Sequence, residues 1–364
     1  MSVFESIKAL SKSHEIYLLS RVEPSELSYV EDIRPFCKEV NLYLFKTPAS
    51  RAFIPIICSY IMLGLKANRL MKKNDFDMVQ VEFIETGIAV RRPRIPSVIV
   101  AHDVISKPAK RRLDASRGLI EKVFNLLKFK SIQWCERFIS RKFDRVFVMS
   151  EVDKQLLLSL DKTINAEVLP NLLNLNFGVD DRIEREPKAL LFAGAMHRDV
   201  NVDAVLYFYE KILPRIREKT PEVKFYIVGN NPPDILRKLA EKDENLIITG
   251  FVEDMGYYFS RAAVFVSPLL VGGGIIAKNL QAMAYGLPVV TSSIGNEGIG
   301  GASGSDLFVA DAPSDFAEKV LLLLNDADLR KKIGLNGKIL ARKNFSDIVL
   351  IERRIKVYEE LCGR

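Results

Sequence analysis

Long uninterrupted apolar runs are missing from this 364-residue chain. No stretch reaches the roughly 18 residues that argue for a transmembrane helix. The nearest candidate, AFIPIICSYIMLGL at 52–65, is short and interrupted by Pro55. A secretory leader is not expected, because the opening MSVFESIKALSKSHE turns charged before an apolar core can form. Cysteine is sparse: Cys37, Cys58, Cys135 and Cys362 are scattered without metal-type spacing and read as reduced thiols of a cytoplasmic protein. The phosphate fingerprint of dinucleotide folds is absent, as is the ribose-binding acid after it, which excludes a dehydrogenase. Internal repeats and low-complexity segments are absent too.

What is present describes an ordinary soluble protein, with 48% hydrophobic and 27% charged residues. The length suffices for two cores. The net charge of +7 is unevenly spread: residues 1–186 hold 30 Lys/Arg against 24 Asp/Glu, and residues 187–364 hold 23 against 22. Much of the excess lies in 107–145. A solvated helical surface is the first expectation there, because Phe124, Leu127 and Phe138 suit a core. The sharper one is a basic amphipathic face resting on anionic membrane or holding an anionic substrate. No recognition motif accompanies the charge, so nucleic acid is not an expected partner.

Short β-branched or aromatic runs alternate with amphipathic helical stretches along the whole chain. Strands are expected at 15–20, 39–45, 77–83, 97–102 and 145–150, then at 189–194, 223–229, 245–250, 263–268, 288–293 and 306–310. Such continuously apolar runs between helices predict parallel strands covered on both faces. The fold class is α/β, doubly wound, and it occurs twice. The expected domains are 1–175 and 189–364, the second with its closing C-terminal helices, and the polar 176–188 is the linker. Two such domains leave a cleft at the carboxyl ends of their strands, lined by AHDVISKPAKRR, AGAMHRDVN and the glycine stretch after AVFVSPLL.

That stretch reads GGGIIAKNLQAMAYGLPVV, residues 272–290. Gly272, Gly273 and Gly274 allow positive φ and close approach to a ligand. The helix after them offers backbone N–H groups and its dipole to an anion, and Lys278 lies one turn in. Taken alone, the triplet suits a phosphate or diphosphate and suits an ordinary flexible loop equally.

Context adds a resemblance. The segment from LLFAGAMHRDVNVDAVLYFYEKILPRIREKTPEVKFYIVGNNPPDILRKLA through IITGFVEDMGYYFSRAAVFVSPLLVGGGIIAKNLQAMAYGLPVVTSSIGNEGI resembles the nucleotide-sugar domain of the family-4 retaining glycosyltransferases over about residues 189–345. The first half resembles the family's acceptor domain more loosely, from IKALSKSHEIYLLS through VIVAHDV. The resemblance implies a GT-B fold and retaining transfer of a sugar from a nucleotide-diphosphate donor to a polysaccharide, glycolipid or related acceptor. It implies no metal and no cofactor, and no Asp-x-Asp pair is placed to hold a metal. By the same resemblance Gly194, the glycine triplet and Lys278 face the donor diphosphate. Gly229, Phe251 and Val252 edge the base pocket. His102, at a strand end, lies close to the transferred sugar, although a histidine beside an aspartate is also a common structural pair.

Departures from the family pattern stand beside the matches. The second glutamate of its Glu-x7-Glu signature, which binds the donor ribose, is Gln281 here, and the first falls on Gly273. Ala195 and Asn201 occupy positions where relatives carry an arginine and a lysine; Arg198 or His197 are the substitutes. A glutamine accepts from one ribose hydroxyl but loses a charge-assisted pair, so weaker donor binding is expected. The chain also begins at the helix FESIKALSKSHE, where relatives first have a strand and a glycine loop. The first strand of a doubly wound sheet is normally central, so a gap or rearrangement is expected. The leading expectation is a glycosyltransferase, cytoplasmic or peripheral at the inner face of a membrane. The rivals are a glycosyltransferase-like binding or scaffold protein with little turnover, and a GT-B isomerase or hydrolase of nucleotide sugars.

Overall fold

The computed structural model describes residues 2–47, 53–116, 118–178, 184–272 and 274–363. Twelve strands are present among them. The first six are β1 (Tyr17–Val22), β2 (Glu39–Leu44), β3 (Val79–Glu82), β4 (Ser97–Ala101), β5 (Arg145–Val148) and β6 (Ala166–Val168). The second six are β7 (Ala189–Ala193), β8 (Lys224–Val228), β9 (Leu246–Gly250), β10 (Val264–Ser267), β11 (Val289–Thr291) and β12 (Phe308–Val309). Eleven fall in the runs expected from sequence. The exception, β6, is the three-residue Ala-Glu-Val, too short and too polar to show a strand pattern; it exists because β5 offers it an edge.

The chain divides into two compact units, Met1–Leu172 with Ile348–Arg364, and Leu173–Asp347. This corrects the expected boundaries at both ends. The last helix, Asp347–Cys362, sends Leu350, Val357 and Tyr358 into a core shared with Leu10, Val98, Val100 and Phe147 of unit 1. The end of the expected first domain and part of the expected linker pack on unit 2: Leu173 and Leu175 of the former and Phe177 of the latter lie against one of its cores. Arg185 donates to the carbonyls of Ala262, Tyr285 and Gly286 at 3.0–3.3 Å. Composition marked the linker as polar, and among its described residues Arg185 and Glu186 spend their charged groups within unit 2.

Unit 2 has one parallel sheet of six strands in the order β12-β11-β10-β7-β8-β9. Its strands β7 and β10 are fully buried, as helices on both faces require. Unit 1 has its parallel strands in two pieces, β1-β2 and β3-β4-β5-β6. Strands β4 and β5 are buried, whereas β1 and β3 are largely half-exposed. Among the described residues no ladder joins the β1-β2 pair to the four strands beginning at β3.

Candidate functional site

In unit 2 the chain steps outward from β7 to β8 and β9, then returns to the other side of β7 with β10, β11 and β12. The order reverses between β7 and β10, and an open α/β sheet binds ligands at the carboxyl ends flanking such a reversal. The loop after β7 is held close to that of β8. Gly194 N donates to Val228 O and Met196 N to Asn230 O, both at 2.9 Å. A Cβ on Gly229 would collide with the carbonyl oxygen of Gly194, and one on Gly194 would meet Asn201 Nδ2 at 2.9 Å and Lys278 Nζ at 3.2 Å. Glycine at both positions therefore lets the loops close and lets Asn201 and Lys278 lie over them.

Lys278 is the second residue of the helix Ala277–Ala284. Its Nζ donates to Asn201 Oδ1 at 2.7 Å and stands 4.0 Å from the centroid of the Phe192 ring. Asn201 is buried and fixed in turn, its Nδ2 donating to Ala195 O at 2.8 Å. Burial, with the charge of Arg198 added, pushes the Lys278 amine down to about 7. Arg198 is the exposed N-cap of the helix Asp199–Tyr207. An amine held by a neutral amide beside a second cation gains most from an incoming anion. No side chain caps the start of the Lys278 helix. That start is anchored by buried Asn279, whose Nδ2 donates to Thr291 Oγ1 at 3.1 Å and Gly295 O at 3.0 Å; Thr291 Oγ1 donates to Ser267 O at 2.8 Å. The ends of β10 and β11 thus aim the helix. In the loop before it, Gly274 has φ of +68°, a left-handed conformation suited to glycine. Gly272 lies in the same loop, and Gly273 falls outside the described residues.

Gln281 lies against a backbone segment of the same unit. Its Nε2 donates to Asn176 O at 3.0 Å, and Asn176 N donates back to Oε1 at 3.5 Å. An amide serves both halves of that exchange, whereas a carboxylate would face the Asn176 carbonyl without a proton to give. The glutamine therefore holds the 173–178 segment across the helix. Phe251 and Val252 follow β9, the edge strand two places from β7; Phe251 is exposed and Val252 packs against a core. The structure thus gathers Gly194, Gly229, Arg198, Lys278 and the glycine loop at the reversal, with Phe251 and Val252 at the sheet edge.

In unit 1, His102 follows β4, and register puts Glu82 at the end of β3 opposite Val100. His102 Nε2 and Glu82 Oε2 are 2.6 Å apart. The Asn171 amide donates to Nδ1 at 2.9 Å, which leaves the ring proton on Nε2, facing the carboxylate. The Phe83 ring stacks on the imidazole, centroids 3.9 Å apart, and Phe83 has φ of +68°. A non-glycine residue there is strained, and such strain persists where neighbours over-determine it. Around the pair lies a chain of polar contacts. Gln80 Nε2 donates to Glu82 Oε1 at 2.5 Å, the Tyr358 hydroxyl donates to Gln80, and buried Arg354 donates to Asn171 Oδ1 at 3.4 Å. Besides a role near the transferred sugar, sequence reading offered His102 a structural partner in Asp103. The structure pairs it with Glu82, which a period-two reading of VQVE beside the strand ending at His102 would have offered. Asn171 and Arg354 carried no such signal, because they arrive from a loop and from the far end of the chain.

Comparisons with known proteins bear on the family and the fold. Residues 187–326 match the family described as glycosyl transferases group 1. Residues 1–177 match the one described as glycosyltransferase family 4. A 44.6 kDa protein of the cps region of Klebsiella pneumoniae is 25% identical over 228 residues, covering 60% of this chain and 59% of its own length. The capsular polysaccharide biosynthesis glycosyltransferase CapM of Staphylococcus aureus is 24% identical, covering 55% and 50%. The chain therefore spans less than two thirds of the length of these curated relatives. Among solved structures, Anabaena HepE in complex with UDP aligns with a TM-score of 0.66 at 12% identity, covering 99% of this chain and 95% of that one. At that identity the likeness shows the fold.

Proposed function

Because the chain belongs to the family-4, group 1 glycosyltransferases, we propose that it moves a sugar from a nucleoside-diphosphate donor, with retention of configuration, to a saccharide or lipid-linked saccharide of polysaccharide biosynthesis. The observation that carries the reading is Lys278, an amine depressed to about 7 at the strand-order reversal of unit 2 with an amide as its partner. A donor diphosphate supplies the anion that this arrangement favours, and Gly194, Gly229, Gly272 and Gly274 keep the backbone around it bare. The UDP bound in the Anabaena neighbour and the capsular setting of the relatives support the donor and product classes.

In this reading the diphosphate charge is met by Lys278, Arg198 and the helix start, with neither metal nor cofactor. Phe251 and Val252 border the base. His102 is the group beside the transferred sugar. Its Nε2 is committed to Glu82, but its Nδ1 is held by a neutral amide, a bond worth about 1 kcal/mol net. Nδ1 is therefore the atom that exchanges its partner for a sugar hydroxyl. Residence in the cytoplasm, at the inner face of a membrane, belongs to the same reading. A second reading, a donor-binding protein with little turnover, draws on Gln281, whose amide is occupied by Asn176.

The test is calorimetry with a panel of nucleoside diphosphates, followed by transfer assays with the matching nucleotide sugars. Lys278→Ala is expected to weaken the best nucleotide by about 1.5–3 kcal/mol, the range for hydrogen bonds to charged groups. Unchanged affinity in the folded variant overturns the donor site. Intact binding with no transfer to any saccharide acceptor selects the second reading.

A further inference from the structure

The helix Leu119–Ser140 buries a mixed face and leaves an apolar face in the open. Asn125, Phe129, Glu136 and Ile139 are buried. At 100° per residue, the opposite side carries Leu119, Ile120, Val123, Phe124, Leu127 and Trp134. Leu119 is 81% exposed, Ile120 88%, Phe124 66%, Leu127 66% and Trp134 63%. Phe124 and Leu127, with Phe138 at 49% exposed, are the residues the sequence suited to a core. Trp134 and Phe138, one turn apart, stack at 5.2 Å with their planes 4° from parallel. A continuous apolar stripe of this kind on a soluble unit marks an interaction surface.

We propose that this face docks on an anionic bilayer, with the stripe buried in the interfacial layer and the helix lying in the membrane plane. Charge selects this partner. Residues 107–145 hold 12 Lys/Arg against 4 Asp/Glu, and a cationic excess remains although Lys107, Arg137, Arg141 and Arg145 pair with Asp153, Asp161 and Glu167 beyond that stretch. Lys122, Lys128 and Lys130 are exposed along the helix itself. A second copy of the chain would bring two such cationic fields together, and a neutral partner would leave them unanswered. Anionic lipid answers both features, since apolar side chains insert while lysine stems snorkel to the headgroups. Tryptophan is suited to that depth, being apolar in body with one N–H for the wet side. Among the described residues no helix is long and apolar enough to cross a membrane, so the contact is one of lying on the surface. The proposal stands on the exposed face and its charge, independently of the transfer reaction.

The chain contains a single tryptophan, and it lies on this face. Its emission therefore reports the contact directly. Full-length protein is mixed with vesicles of phosphatidylcholine alone or with added phosphatidylglycerol, at ionic strengths of about 0.05 M and about 0.5 M. Expected are co-sedimentation and a blue-shifted, quencher-protected Trp134 with the anionic vesicles at low salt, and a drop on the order of tenfold in binding at high salt. Phe124→Ser with Leu127→Ser, checked for an unchanged melting curve, is expected to lower vesicle partitioning at least about tenfold. Lys128→Gln with Lys130→Gln is expected to lower it less and to flatten the salt dependence. An unshifted Trp134 with anionic vesicles at low salt overturns the proposal. So does equal binding to neutral vesicles, or a concentration-dependent dimer that the serine pair abolishes while vesicles leave Trp134 unchanged.

Discussion

Unit 2 and unit 1 are both built from parallel strands, yet one holds a continuous sheet and the other a divided one. In unit 2, β7 lies at the middle of six strands, paired on both edges. The loops at its carboxyl end are therefore fixed from both sides, and the amine of Lys278 sits on a prearranged floor of Phe192, Gly194 and Asn201. In unit 1, among the described residues, β3 pairs with β4 alone and β1 with β2 alone. Order near His102 comes instead from side chains: the stacked, strained Phe83, the Glu82 carboxylate and the Asn171–Arg354 contact. Backbone pairing positions one site and a polar side-chain network the other.

The widest separation between the units should appear in amide hydrogen exchange. Opening of β1 and β2 breaks few buried contacts, whereas opening of β7, β8 and β10 breaks the core of unit 2. The β7, β8 and β10 amides are expected to exchange on the order of a hundredfold more slowly than those of β1 and β2. Equal protection in mass-spectrometric exchange would break the comparison, since it would mean that the divided sheet behaves as one.

A smaller effect concerns pH. Burial first, and Arg198 second, hold Lys278 at about 7 in the folded protein, below its ordinary value. The unfolded chain therefore binds more protons than the folded one between about 7 and the usual lysine range, and unit 2 gains stability as pH rises through that window. Binding of a diphosphate needs the ammonium and runs the other way: affinity is expected to fall by up to about tenfold per pH unit above 7. Titrations of nucleoside diphosphate at pH 7, 8 and 9 check this, and a Lys278→Arg variant, charged throughout, should flatten the profile. A slope that persists in the arginine variant would place the titrating group elsewhere.

The smallest expected change separates two roles for one residue. Gln281→Glu removes the donor to Asn176 O and sets a carboxylate against that carbonyl. Unit 2 is expected to lose about 1 kcal/mol in urea unfolding with no gain in nucleotide affinity. A tightening of about 1 kcal/mol instead would show the new carboxylate reaching a ribose hydroxyl and would return Gln281 to the donor site.

Much of this architecture was written locally. Eleven strand runs, the double α/β series and the helix carrying Lys278 after its glycine loop follow from periodicity, glycine placement and chain order. Such features depend on residues near one another in sequence. What only the tertiary structure decided joins residues far apart. Asp347–Cys362 returns to unit 1 because its apolar face completes a core with Leu10 and Phe147. His102 takes Glu82 in preference to its neighbour Asp103, because parallel register brings β3 and β4 together. Gln281 turns to Asn176, a backbone segment 105 positions away that needs both a donor and an acceptor. The aromatic stripe of Leu119–Ser140 illustrates the limit most plainly. Spacing can state that a helix has an apolar side, but here the side that is buried carries Asn125, Glu136 and Ser140 beside Phe129 and Ile139, and only packing against the rest of unit 1 determined that.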